Sequence, residues 1–93
     1  MKNFRIMKTK KEIAEFAQEE DYAFLYGAGI MYANDDETRS EVVDCIEKAD
    51  TYKLLSKNEV ENDAFELMTE IENGCEVYEF IKSNAWQLYI AMY

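Results

Sequence analysis

Three observations predict a mainly α protein, a small helical bundle of four to five helices. The chain has no proline and only three glycines, so little in it interrupts a helix. Thr9 stands three residues before Glu12, the spacing of a capping box. Residues 59–71 repeat their acidic and apolar side chains with the period of a helix.

Residues 3–8 alternate loosely, Phe4, Ile6 and Lys8 against Arg5 and Met7, so residues 1–8 read as an extended arm or a short strand. From the Thr9 cap a first helix runs to about Glu20, turning Ile13, Phe16 and Ala17 inward. Glu12, Glu15 and Glu19 then share its outer side. Residues 22–33 (YAFLYGAGIMYA) are apolar throughout, which suits a buried helix or two buried strands turning at Gly27 and Gly29. We read a helix there. Gly27 and Gly29 do not make a phosphate loop, because the third glycine and the strand-to-helix context are missing.

Asn34, Asp35 and Asp36 supply helix-start chemistry for a third helix reaching about Ser56, with Val42, Ile46 and Ala49 inward. Its outer side carries Glu37, Glu41 and Asp44, diluted by Lys48. Asn58 is the expected cap of a fourth helix that stops near Asn73 and Gly74. Along that helix Glu59, Asp63, Glu66 and Glu70 fall within about 60° of one another, one narrow stripe. Val60, Ala64, Leu67 and Ile71 form a separate apolar stripe about 100° away. A last helix, from Glu76 to about Met92, is apolar nearly all round, with Val77, Ile81, Leu88, Trp86 and Ile90 among its residues. Such a helix is central to the bundle or lines an interface.

At 93 residues and 48% hydrophobic content the chain predicts one domain, residues 1–93. Its aromatic content, with seven Tyr, five Phe and one Trp, separates it from a disordered acidic tail. The net charge is −10, and half of the ten bases (Lys2, Arg5, Lys8, Lys10, Lys11) lie in the first eleven positions. Between Asn58 and Glu79 there are eight carboxylates and no Lys or Arg. Such a surface repels nucleic acid and attracts a basic protein. No secretory signal follows the basic start, and the longest apolar run, twelve residues, is too short to span a bilayer. A cytoplasmic protein with no membrane partner is expected.

Catalytic and metal chemistries find few supports. There is no histidine, which removes the usual general base and the imidazole half of most zinc and di-iron sites. Cys45 and Cys75 are expected as reduced, buried thiols. An EF-hand count beginning at Glu59 fails at Ala64, where the loop needs glycine. Paired carboxylates are plentiful, but nothing marks two of them as buried across a cleft. No cofactor is implied, and a non-enzymatic protein is the expectation.

The acids themselves remain. Helical carboxylates three and four apart stand about 5–6 Å from one another, comparable to successive phosphates of a polynucleotide. In size, acidity and acid spacing over residues 12–79 the chain resembles the small phage-encoded DNA-mimic proteins of anti-restriction and anti-defence function, the Ocr- and Arn-like group. That resemblance implies an inhibitor whose acidic surface occupies the nucleic-acid groove of a defence nuclease or other basic protein in the host cytoplasm, often as a homodimer. The partner-binding residues are then expected to be Glu59, Asp63, Glu66 and Glu70 as the main row, Glu76 and Glu79 extending it, and Glu37, Glu41 and Asp44 as a second row. The alternative is a protein–protein module, such as an immunity protein, antitoxin or assembly subunit, binding through the apolar C-terminal helix.

Overall fold

The computed structural model describes residues 6–27 and 29–93, with the side chains of Asn62 and Asp63 excepted. It is not a helical bundle. The element order is α1 (Lys10–Glu19), β1 (Tyr22–Tyr26), β2 (Ile30–Ala33), α2 (Asp36–Lys48), β3 (Thr51–Leu54), α3 (Lys57–Asp63), a 3-10 turn (Phe65–Leu67), α4 (Met68–Glu72), β4 (Glu76–Lys82) and β5 (Trp86–Met92). The five strands form one antiparallel sheet in the order β2-β1-β5-β4-β3. The fold is therefore a mixed α/β sandwich of three layers.

Strand alternation sends side chains to the two faces. Tyr22, Phe24, Tyr78, Phe80, Leu88, Ile90 and Met92 meet Ile13 and Ala17 of α1 and Val42 and Ile46 of α2. Ala23, Leu25, Val77, Tyr89 and Ala91 meet Val60, Ala64 and Leu67 on the opposite side. Register places Ile90 between Phe24 of β1 and Tyr78 of β4, so the first core runs across the sheet without a gap. Tyr52 of β3 stacks on Phe80 with ring centroids 5.3 Å apart.

Two expected helices are hairpins, and one cause explains both. A strand covered on both faces is apolar at successive positions, so its sequence loses the two-residue period that marks a half-exposed strand. β1, β5 and β4 are the three inner strands, and they supply the run over residues 76–92 and the first part of that over 22–33, which the edge strand β2, with Met31 and Tyr32 exposed, continues. Gly27 and Gly29 take φ values of 84° and 90°, a left-handed backbone that glycine adopts freely, and they turn the first hairpin. Asn84, at φ 55°, turns the second.

The third helix ends at Lys48 instead of Ser56, and residues 51–54 pair with β4. The fourth begins two residues early, because Ser56 and Glu59 form a capping box that leaves Asn58 inside α3. It also breaks at Ala64, where φ is −142° and ψ 61°, before the 3-10 turn and α4. The apolar half of its periodicity holds across the break, since Val60, Ala64 and Leu67 are all buried. Thr9 and Glu12 do form the expected capping box, and Gly74, at φ 101°, follows α4. Residues 6–9 have no regular secondary structure, so the described part of the expected arm is not a strand; residues 1–5 lie outside the described residues.

Candidate anionic interface

α2 is the most regular acidic element of the molecule. Asp35 caps it, accepting the Thr38 backbone N–H at 2.7 Å and the Thr38 hydroxyl at 3.1 Å. Those bonds, the backbone one foremost, hold the Asp35 carboxyl below its usual range. Val42 and Ile46 anchor the helix on the sheet, which fixes the direction of its outer side. Glu37, Glu41 and Asp44 are exposed on that side. Over about two turns of unbroken helix they stand within about 60° of one another. Lys48 closes the row by pairing with Asp44 at 2.9 Å.

α1 lies antiparallel beside α2. The Lys10 ammonium at the start of α1 donates to the Glu47 and Ala49 carbonyl oxygens at 3.2 and 2.9 Å, neutralising the C-terminal end of α2. At the other end the Arg39 guanidinium reaches Asp21 at 2.6 Å and Asp36 at 2.8 Å. Lys10 and Arg39 are thus engaged at the two ends of this layer, while Lys11 is exposed on α1 and lines a groove with Glu15 and Glu47. Glu15 and Glu19 are also exposed, on the α1 helix packed against α2. Sequence reading set Glu15 and Glu19 on one side of a helix; what it lacked was the pairing of that helix with α2.

The expected main row is not one row. Glu59 is taken up by its capping box, accepting the Ser56 N–H at 2.7 Å, and by Lys53 at 3.2 Å. The Ser56 bond, then Lys53, hold its carboxyl below the usual range. Glu66 is exposed on the 3-10 turn, beyond the break at Ala64. Glu70 is half-buried on α4, where its carboxylate accepts the Cys75 thiol at 3.9 Å. The Asp63 side chain lies outside the described residues. Glu76 pairs with Lys8 at 3.7 Å. Glu79 is 4% exposed on the inner strand β4, bonded to Gln87. A single stripe needs one continuous helix, and the helix breaks at Ala64.

The apolar C-terminal helix of the alternative reading is absent as well, because residues 76–92 fill the two cores. Among the described residues Glu79 is the only buried charged side chain, and no group of three or more Cys, Asp or Glu is placed to hold a metal ion. Also among the described residues, no helix is long and apolar enough to cross a membrane. Both cysteines are free thiols. No family model, no curated protein and no solved structure matches this chain.

Proposed function

We propose that this protein is a non-enzymatic inhibitor that acts in the cytoplasm by occupying the nucleic-acid groove of a basic protein, a nuclease or defence complex. The observation that carries the reading is the row Glu37, Glu41 and Asp44 on a capped, continuous helix docked against the sheet. Carboxylates at this spacing stand about 5–6 Å apart, close to a phosphate repeat. Glu15 and Glu19 add exposed negative charge on the neighbouring α1. The Asp44–Lys48 pair is exposed, and such pairs are weak, so a partner's arginine can displace Lys48. A rigid anion array is matched by the Lys and Arg of a groove built for phosphates.

The test is capture of binding partners from host lysate at low and moderate salt, followed by elution with free duplex DNA. Retention of a nucleic-acid-binding protein that DNA displaces and salt releases supports the reading. Binding of the Glu37→Lys/Glu41→Lys variant at parental strength would remove it.

A further inference from the structure

Beside the acid row, between α2 and the open side of the β1–β2 hairpin, lies a groove of about 460 Å³. Phe24, Met31, Val42 and Leu88 line its apolar part, and Glu41 and Asp44 stand on its α2 side. Met31 is 39% exposed, unusual for a large apolar side chain facing the layer that holds the main core. Tyr26 extends the wall, 40% exposed, and its ring centroid lies 6.1 Å from that of Trp86. Among the described residues no Lys or Arg lines the groove.

We infer that this groove receives a bulky apolar side chain flanked by Lys or Arg, supplied by the same partner that meets the α2 acids. The inference rests on α2 being the partner-facing helix and adds an apolar anchor to it. Charge selects the occupant. An apolar residue entering between Met31 and Val42 brings its chain neighbours against Glu41 and Asp44, where basic side chains gain and acidic ones lose. A second copy of this chain, at net charge −10, would set acid against acid. Nucleic acid is repelled by the same two carboxylates. The Tyr26–Trp86 pair offers ring faces for a guanidinium. Apolar anchoring also separates this partner from other basic proteins, which charge alone cannot do.

Trp86, the only tryptophan, does not line the groove but stands against Tyr26 of its wall, so its emission follows Tyr26 in the intact protein. Two amidated peptides of equal charge serve as probes, Lys-Arg-Phe-Arg-Lys and Lys-Arg-Gly-Arg-Lys. The Phe peptide should bind about tenfold more tightly, the return from burying one aromatic side chain. Met31→Glu adds negative charge while spoiling the apolar floor, so it should erase most of that tenfold; Tyr26→Ala, checked by thermal melting like the first, should reduce it too. Equal affinity for the two peptides, or tighter Phe-peptide binding by Met31→Glu, overturns the inference and leaves the decoy reading standing. If Glu41→Lys changes the affinity of neither peptide, the reading of α2 fails with it. Sedimentation that gives a dimer in which Met31 is covered would also overturn it.

Discussion

Gln87 Nε2 donates to Glu79 Oε2 at 2.8 Å, diagonally across the β4–β5 ladder. Glu79 is almost wholly enclosed, and Lys53 of the neighbouring strand stands 3.9 Å from its other oxygen. A carboxylate in that setting depends on its partners. Gln87→Ala should therefore lower stability by about 1–2 kcal/mol in urea denaturation. An unchanged midpoint would mean that Lys53 alone satisfies the carboxylate.

The cap of α2 makes acid sensitivity testable at one residue. Asp35 has its carboxyl held low by Thr38, so its folded value lies below its unfolded one. Its contribution is then present above about pH 4 and is lost as the pH falls through the folded value. Asparagine caps a helix without a charge. Asp35→Asn should match the parent near neutrality and lose less stability in acid, whereas Asp35→Ala should cost about 1 kcal/mol at neutral pH. Denaturant midpoints across acid pH decide between them.

The opposite pH limit belongs to Tyr22. Burial raises its hydroxyl well above the ordinary value, and the hydroxyl donates to the Ala17 carbonyl at 2.9 Å. A folded value above the unfolded one gives stability that is complete below about pH 10 and lost as the pH climbs past it. The parent should lose more stability than Tyr22→Phe between about pH 9 and about pH 11. Equal slopes for the two proteins would show that Tyr22 ionises without penalty.

Thiol chemistry should be slow. Burial pushes both the Cys45 and the Cys75 thiol up, with Asp44 adding to the effect at Cys45 and Glu70 at Cys75. A disulfide reagent at neutral pH should react with each at least about tenfold more slowly than with a free thiol, because the thiolate is the reacting form. Cys75, buried beneath α4, should lag behind the half-buried Cys45 until denaturant is added. A fast phase equal to two thiols would contradict this placement.

Helices with one wet face were legible in the sequence, and inner strands were not. Thr9 with Glu12, and Asp35 ahead of Val42 and Ile46, combine a polar cap with an apolar stripe, and both mark real helices. Residues 76–92 have no wet face to reveal a period, so helix and strand look alike there. Ala64 shows a different limit. Its small apolar side chain fits a helix pattern, yet the backbone bends at it so that Leu67 and Cys75 both reach the second core. That bend separates Glu59 from Glu66 and Glu70, while Glu37, Glu41 and Asp44 share the unbroken α2. The groove at Met31 was invisible for a further reason: it exists only where a hairpin meets a helix.

β5 joins β1 to β4, and no other strand links the two halves of the sheet. Phe24 therefore finds Ile90 only after sixty-five intervening residues have been made. Synthesis on the ribosome must run through β5 before the β1–β2 hairpin has its neighbour, so the half-made chain exposes the unpaired apolar edge of β1 to chaperones and proteases.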